Sequence, residues 1–308
     1  MIIITKKDEY YTLYEDIEKE LQYYTEELTG KSIYCNCDNP QYSNSVKYFR
    51  NNFEKLKLKE LITSHRNLDG TGGVAIYDGI DWTYRELQNG SYDSEELTEY
   101  LNRTDIVVTN PPFSVFNKYL AFLIDSNKDF ILMGSITATN AVRVFDEFKA
   151  GRLFFGHHID KGHLFLVPEE NYTNRKTKII NGKHYLDIGN ITWWTSFKDK
   201  NPREKFIPTV NYKDHEYLKY WNYDAINVNR LKDTPKDYYE KIGVPITYLS
   251  KHNSDLFEIV GLSNKVPKTR KDVPEKPTDL WLEKDGKPWK SPYKRIIIKR
   301  RKIWQNKR

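Results

Sequence analysis

Cysteine and long apolar runs are both scarce in this chain of 308 residues. Its two cysteines, Cys35 and Cys37, cannot build a disulfide framework, and without a matching pair they supply too few ligands for a structural zinc site. No apolar run approaches the roughly 18 residues of a membrane helix, and residues 1–7 form no signal-peptide pattern. We therefore expect a soluble protein of a reducing compartment, by default the cytoplasm, with neither a membrane nor a metal as partner.

Acidic residues are scarce at one end of the chain. The formal net charge is +6, from 49 Lys and Arg against 43 Asp and Glu. Residues 284–308 contain 11 basic residues and one acid, so this segment carries +10 and leaves −4 for the first 283 residues. A basic end on a mildly acidic body favours contact with a polyanion such as a nucleic acid. The alternative is a plain lysine-rich tail, because AT-rich coding also enriches Lys, Asn, Ile and Tyr.

Helical and strand patterns alternate through the first half of the chain. Helices are predicted over residues 14–28, 45–56, 94–101 and from about residue 114 through 124, and strands over 32–37, 60–64, 105–108 and 130–134. Residues 74–77 and 82–84 predict a hairpin or a further strand. Strands that alternate with helices at this spacing predict an α/β fold with a parallel, doubly wound, Rossmann-like sheet.

The pattern changes after Gly151. Residues 153–197 predict antiparallel strands, over 153–155, 163–167 and 188–197, and beyond Asn201 the chain becomes rich in Tyr, Lys and Pro. We therefore predict one domain over residues 1–200 and an extension over residues 201–308. Within that extension, residues 266–277 place four basic residues among three prolines, which suits either an extended loop that tracks phosphates or a solvated linker.

The string Thr109-Asn110-Pro111-Pro112-Phe113 closes the apolar strand over residues 105–108. Pro111 cannot donate to a sheet and biases Asn110 away from helix, so the strand must stop in a rigid loop where open α/β sheets bind ligands. The Asn110 oxygen and the Pro111 backbone carbonyl can accept both hydrogens of a planar NH2 group, and Phe113 can stack on the attached ring. This arrangement predicts methyl transfer to nitrogen, with Asn110, Pro111, Pro112 and Phe113 as catalytic residues. The alternative is a Pro-Pro turn with Phe113 in the core.

A second polar loop, Cys35-Asn36-Cys37-Asp38-Asn39-Pro40, follows the first predicted strand. Ligand binding in α/β sheets usually begins at this point. A small polar loop with an acid suits a ligand that carries an ammonium group or ribose hydroxyls, as S-adenosylmethionine does, although the glycine-rich turn common at this position is missing. We predict that Cys35, Asn36 and Asp38 contact this cofactor.

Two further groups of side chains have competing interpretations. Trp193-Trp194 would either wall a substrate ring or, as an apolar strand favours, belong to the core. His157-His158 and His163, near Asp160, would either bind a metal or, as the intervening glycines favour, lie in a solvated loop.

Six segments together carry a family resemblance. They are Lys6-Lys7-Asp8-Glu9-Tyr10-Tyr11-Thr12, Tyr34-Cys35-Asn36-Cys37-Asp38-Asn39-Pro40, Asp105-Ile106-Val107-Val108-Thr109-Asn110-Pro111-Pro112-Phe113-Ser114, Tyr223-Asp224-Ala225-Ile226-Asn227-Val228, Gly243-Val244-Pro245-Ile246-Thr247-Tyr248-Leu249 and Phe257-Glu258-Ile259-Val260-Gly261. In the same order and over nearly the whole chain, these segments resemble the EcoRI-type adenine-specific DNA methyltransferases.

The resemblance implies S-adenosylmethionine-dependent methylation of N6 of an adenine flipped out of double-stranded DNA. It implies a methyltransferase sheet with an antiparallel C-terminal strand pair, a catalytic domain over residues 1–200 and a DNA-recognition extension over residues 201–308. Asn110 and the Pro111 backbone would hold the adenine amine, while Tyr11 and Thr12 match the N-terminal cofactor segment. One departure concerns the end of the second predicted strand, where Thr63-Ser64-His65 stands in place of the acid that holds the cofactor ribose in many amino-methyltransferases.

Other functions remain open at this point. An Asn-Pro-Pro-aromatic string also occurs in enzymes that methylate a protein glutamine amide, and RNA is a further acceptor. A DNA-binding module without activity is the alternative outside catalysis. For a DNA-modifying enzyme, a cognate restriction endonuclease acting on the same site would be an additional partner.

Overall fold

The computed structural model describes residues 10–158, 163–167, 177–198, 205–269 and 279–302. The chain divides into two compact units, residues 1–198 and 199–308, each with its own internal packing. Parts of four sequence features lie outside the described residues: positions 6–9 of the N-terminal segment, Asp160 of the histidine group, positions 270–277 of the proline-containing loop, and positions 303–308 of the basic segment.

The N-terminal unit contains the following strands and helices among its described residues. The strands are β1 (Tyr11–Thr12), β2 (Ser32–Cys35), β3 (Glu60–Arg66), β4 (Gly72–Tyr77), β5 (Trp82–Leu87), β6 (Ile106–Thr109), β7 (Asp129–Ser135), β8 (Phe154–Phe155), β9 (His163–Leu166), β10 (Lys178–Ile180), β11 (Lys183–Ile188) and β12 (Ile191–Thr195). The helices are α1 (Tyr14–Leu21), α2 (Thr25–Leu28), α3 (Asn44–Asn51), α4 (Glu95–Arg103), α5 (Phe116–Ser126) and α6 (Val142–Lys149).

An eight-stranded mixed sheet in the order β5-β4-β3-β2-β6-β7-β12-β8 organises this unit. The four central strands, β3, β2, β6 and β7, are parallel, and every residue of β2 and β6 is buried, as strands covered on both faces require. The outer strands β4, β5, β12 and β8 are antiparallel to their neighbours. The alternation of strands and helices is thus confirmed, whereas the expectation of a parallel sheet holds for the centre alone.

The first predicted helix is interrupted in the structure. A turn of 3-10 helix over Gln22–Tyr24 separates α1 from α2, so residues 14–28 form two short helices rather than one. The hairpin predicted over residues 74–84 is confirmed as β4 and β5, which pair from Gly72↔Leu87 to Tyr77↔Trp82.

A second, four-stranded sheet in the order β1-β9-β11-β10 lies in the same unit. Its edge strand β1 pairs Tyr11 with Leu166 and Thr12 with Phe165. The N-terminal segment is therefore held by residues about 150 positions later in the chain. This pairing fixes Tyr11 and Thr12 in position.

The tryptophan pair belongs to the core, as the sequence favoured. Trp193 is 2% exposed and Trp194 is completely buried, with its indole Nε1–H donating to the Gly134 carbonyl at 3.2 Å. Throughout the described part of the chain, every helix is too short or too polar to cross a bilayer.

The C-terminal unit is built mainly from strands. In the described residues these are β13 (Ile226–Asn227), β14 (Lys241–Val244), β15 (Phe257–Leu262), β16 (Trp281–Lys284), β17 (Lys287–Lys290) and β18 (Ile296–Arg300). Strands β13-β14-β18-β15 form one sheet in that order, and β16 and β17 form a separate two-stranded ribbon.

The basic end of the chain is not a free tail over residues 284–300. β18 lies between β14 and β15, and Ile296, Ile297 and Ile298 are completely buried. Arg295 is also buried, with its guanidinium donating to the side-chain oxygens of Asn227 at 3.1 Å and Asn229 at 3.0 Å. This stretch is therefore folded into the C-terminal unit as far as Arg300, and its contact with a polyanion stays a prediction.

Candidate active site

A cavity of about 850 Å³ opens at the carboxyl ends of the central parallel strands. Its walls come from the N-terminal unit: residues 10–12, 36–39, 42–45, 65–69, 90–92 and 110–113, together with Ile17 and Val115. This size is that of a site for a small organic ligand. Both loops that the sequence singled out, after β2 and after β6, face the same cavity.

The amide of Asn110 presents an acceptor to the cavity. Its Nδ2 donates to the Tyr10 backbone carbonyl at 2.9 Å, whereas its Oδ1 is buried and has no partner among the described residues. Because a carbonyl can only accept, the bond to Tyr10 decides which end of the amide is the oxygen. A buried acceptor without a donor costs about 1–3 kcal/mol, which a ligand N–H would recover.

The prolines and Phe113 give this loop its rigidity. Pro111 is buried, and Phe113 is half-buried with its ring stacked on Tyr10 at a centroid distance of 6.0 Å and edge-on to Phe165 at 5.5 Å. Phe113 packs against the core, as the alternative interpretation expected, and it also lines the cavity. Its stacking on a substrate ring stays a prediction. The carbonyls of Pro112 and Phe113 accept from Val115 and Phe116 as the chain turns toward α5.

Asp38 links the two loops. Its Oδ1 accepts from the Ser43 hydroxyl at 2.6 Å and its Oδ2 from the Thr109 hydroxyl at 2.5 Å. Burial raises the pKa of this carboxyl, and the bonds from Ser43, Thr109 and the Asn110 backbone N–H oppose that rise. Asp38 lines the cavity, but its carboxylate is occupied in joining the loop after β2 to the loop that carries Asn110.

Of the other residues predicted after β2, Asn36 lines the cavity and Cys35 does not. The Tyr119 hydroxyl donates to Asn36 Oδ1, and Asn36 Nδ2 is buried with no partner among the described residues. Cys35 is completely buried within the core cluster, and Cys37 takes a place in the cavity wall. Burial raises the pKa of the Cys35 and Cys37 thiols well above the ordinary value, so both remain protonated.

Three more buried polar atoms of the cavity wall have no partner in the described parts of the chain. They are Thr12 Oγ1, His65 Nδ1 and Arg66 Nε. Burial lowers the pKa of His65, so its imidazole is neutral near pH 7. With Asn36 and Asn110, these atoms form a set of donors and acceptors that a polar ligand would satisfy.

Asp69 is an acid of the cavity wall that the sequence analysis missed. The second parallel strand was expected to end at Ser64, but β3 continues to Arg66 and the chain then turns past Asp69. Asp69 accepts from the Thr71 backbone N–H at 3.0 Å and from its hydroxyl at 2.6 Å, and these bonds lower the pKa of the carboxyl. Asp69, five residues beyond Ser64, is therefore a candidate for the acid that the sequence lacks directly after the second parallel strand. The turn signal Asp69-Gly70 marked its position.

His157 and His158 lie around a buried carboxylate, whereas His163 is buried at the start of β9 and so is not in a solvated loop. Glu20 is completely buried and accepts from the backbone N–H of His157 at 2.6 Å and of His158 at 3.0 Å. The His158 ring lies 2.9 Å from the same carboxylate. Within the residues described, no three His, Cys, Asp or Glu side chains are placed to hold a metal ion.

The chain matches a protein-family model over most of its length. The family model described as adenine-specific methyltransferase EcoRI matches residues 4–81 and 66–301. The chain belongs to this family. The EcoRI-type methyltransferase resemblance drawn from the six segments is confirmed, and the protein is an adenine-specific methyltransferase.

Individual members of the EcoRI methyltransferase family align over most of the chain. The type II methyltransferase M.EcoRI of Escherichia coli is 39% identical, over 97% of this chain and 95% of that protein. M.MgeORF184P of Mycoplasma genitalium is 36% identical over 83% of each chain, and M.MpnI of Mycoplasma pneumoniae is 34% identical over 83% and 82%. Both are also named type II methyltransferases. No solved structure matches the chain.

Proposed function

We propose that this adenine-specific methyltransferase moves a methyl group from S-adenosylmethionine to N6 of an adenine within a short sequence of double-stranded DNA. The observation that carries the proposal is the buried, unpartnered Oδ1 of Asn110, held toward the cavity by the bond from Nδ2 to Tyr10. An acceptor presented in this way suits a ligand NH2 group.

Asn110 acts on the adenine amine by accepting its hydrogens. The amide oxygen and the Pro111 carbonyl each take one N–H, which draws the nitrogen out of conjugation with the ring and makes its lone pair available. Asn cannot serve as a base near pH 7, so the proton lost after transfer passes to solvent or another acceptor. Phe113, fixed by Tyr10 and Phe165, supports the adenine ring by stacking.

Other residues of the cavity wall fit the polar groups of S-adenosylmethionine, which supplies the electrophilic methyl group when bound. Asp69, ionised and exposed, is our candidate to accept from the ribose hydroxyls. Asn36 and Thr12 offer polar atoms without partners in the described chain, and Tyr11 lies beside them in the wall. Cys35 lies outside this set because it faces the core.

DNA as substrate requires that the adenine leave the base stack. The amine of a paired adenine is hidden in the duplex. The cavity at the carboxyl ends of the central strands is reached only by a base that has rotated out of the duplex, at a cost of a few kcal/mol. We assign the doubly wound arrangement and catalysis to residues 1–200 and target recognition to residues 201–308. Cytoplasmic location and a cognate restriction endonuclease belong to the same proposal.

The test is incubation of the full chain with labelled S-adenosylmethionine and separate duplex DNA, RNA and protein acceptors. Single-molecule sequencing of the DNA then locates modified bases. Label in DNA at N6 of adenine within one recurring sequence is the expected result. Label confined to RNA, or to a protein glutamine amide, would reject DNA as the substrate. Binding of S-adenosylmethionine in calorimetry without any transfer would indicate a binding module.

A further inference from the structure

The two-stranded ribbon of the C-terminal unit carries an unfavourable pair of charges. β16 and β17 place Lys284 directly opposite Lys287, and neither lysine has an ion-pair partner among the described residues. Like charges in directly opposed positions destabilise a strand pair. The end of the ribbon therefore carries two lysine side chains that start from directly opposed positions.

The ribbon is rigid and firmly mounted. Its turn consists of Asp285 and Gly286, both with positive φ (51° and 70°), which is the two-residue turn that matches the twist of the strands. At its base, Leu282 is buried in the core of the unit, and the Glu283 N–H donates to the Lys219 carbonyl at 2.8 Å. The lysines are thus presented at a fixed place rather than on a flexible loop.

An exposed aromatic ring shares the face of the two lysines. Cross-strand partners lie on one face, so Trp289, opposite Leu282, is on the same side as Lys284 and Lys287. Trp289 is 49% exposed, and the Lys284 ammonium lies 6.0 Å from its ring centroid. The acid Glu283 falls on the other face, opposite Pro288.

We propose that this ribbon, residues 281–290, binds the phosphate backbone of duplex DNA through Lys284 and Lys287. The proposal rests on the proposed function for its choice of DNA among polyanions. A phosphate between the two ammonium groups removes their mutual repulsion, and the release of condensed counterions favours the contact. A two-stranded ribbon also has dimensions that the major groove admits.

The experiment compares two double variants of the full chain. Lys284→Gln with Lys287→Gln removes two charges from the ribbon, and Lys232→Gln with Lys236→Gln removes two exposed charges elsewhere in the same unit. Binding of a short mixed-sequence DNA duplex is measured between about 50 and 200 mM salt. The ribbon variant is expected to bind more weakly, with a log Kd against log salt slope smaller by about 2, whereas the control retains the wild-type slope.

The melting temperature of the ribbon variant is a second readout, and it should not fall when the affinity for DNA falls. Removal of the Lys284–Lys287 repulsion should leave the melting temperature unchanged or raise it, so weaker binding cannot be attributed to unfolding. An unchanged slope in the ribbon variant, or an equal loss in the control, overturns the proposal. A ribbon variant that binds duplex RNA more weakly, but binds duplex DNA as the wild type does, also overturns the proposal.

Methyl transfer by the wild-type chain distinguishes a failure of the proposed function from a failure of the ribbon assignment. Transfer of label to DNA is measured first, and its absence rejects the proposed function together with the choice of DNA for the ribbon. Transfer to DNA with ribbon variants that bind as the wild type does rejects the ribbon assignment alone.

Discussion

At the scale of single residues, the amide of Asn110 shows how a distant contact completes a local signal. The sequence predicted an acceptor at Asn110 from the two prolines that follow it. It could not predict which way the amide would face, because that is decided by the Tyr10 carbonyl, 100 residues earlier in the chain. The position of the residue was local information, whereas its orientation depends on tertiary packing.

Replacement of Asn110 by Ala should reduce kcat by about 10²- to 10³-fold, the scale observed when one positioned polar contact to a reacting group is removed. The affinity for S-adenosylmethionine should stay close to that of the wild type, because the proposed role of Asn110 is to hold the adenine amine. Single-turnover methylation and calorimetry measure the two quantities. Asn102→Ala, at an exposed site of α4, is the matched control. A large loss of cofactor affinity in Asn110→Ala would contradict the assigned role.

Asp38 was predicted to contact the cofactor, and its contacts favour a positioning role. Its two oxygens accept from Ser43 and Thr109, and the Asn110 backbone N–H also points to the carboxylate. Thr109 in turn accepts from the Cys37 backbone N–H at 3.2 Å. The network aligns the loop that carries Asn110 with the loop after β2, a relation between distant segments that sequence alone does not show.

Asp38→Asn should lower kcat more than it weakens cofactor binding, because an amide keeps only one acceptor oxygen and so loses the bond from either Thr109 or Ser43. Thr109→Val breaks the same network from a residue that does not line the cavity, and it should reproduce the loss. The double variant should lose little more than either single one, since both break one network. Cofactor titrations and single-turnover rates test this. Cofactor affinity lost in Asp38→Asn and kept in Thr109→Val would make Asp38 a direct ligand.

At the scale of elements, strand and helix positions were largely predictable, while their ends and partners were not. The apolar runs of β2, β6 and β7 identified the central parallel strands. The predicted strand ended at Ser64, yet His65 and Arg66 continue β3 beside Gly73 and Gly72 of β4. The hairpin of β10 and β11 was missed although Asn181-Gly182, both with positive φ, is a strong hairpin signal.

Two serines at helix starts should differ in their contribution to stability. The Ser43 hydroxyl accepts from the backbone N–H groups of Ser45 and Val46 at the start of α3 and donates to Asp38. Ser94 lies at the same position of α4, but its buried hydroxyl has no partner in the described chain.

Ser43→Ala should therefore lower the free energy of unfolding by about 1–3 kcal/mol, and Ser94→Ala should change it by no more than about 0.5 kcal/mol. Urea denaturation followed by circular dichroism compares them. Equal losses in the two variants would show that the cap hydrogen bonds of α3 contribute nothing.

At the scale of the whole molecule, the charge count and the fold give different pictures of the C-terminus. Residues 284–308 carry a formal charge of +10 and were interpreted as a basic end of the chain that contacts a polyanion. The C-terminal unit instead uses Ile296–Arg300 as the strand between β14 and β15. Charge composition indicates that a segment suits a polyanion, but it does not report the buried apolar run Ile296–Ile298 that makes this segment part of a sheet.

A chain ending at Lys294 should lose the fold of the C-terminal unit. It lacks β18, so β14 and β15 lose the partner that each pairs with over several residues, and the side chains of Ile296–Ile298 leave the core. Hydrogen exchange should show loss of protection in the peptides of β14 and β15. The peptides of β2 and β6 should keep theirs, because those strands belong to the N-terminal unit. A chain ending at Lys302 retains every described strand and serves as the control. Protection of β14 in the shorter chain equal to that in the control would show that the fold of the C-terminal unit does not depend on β18.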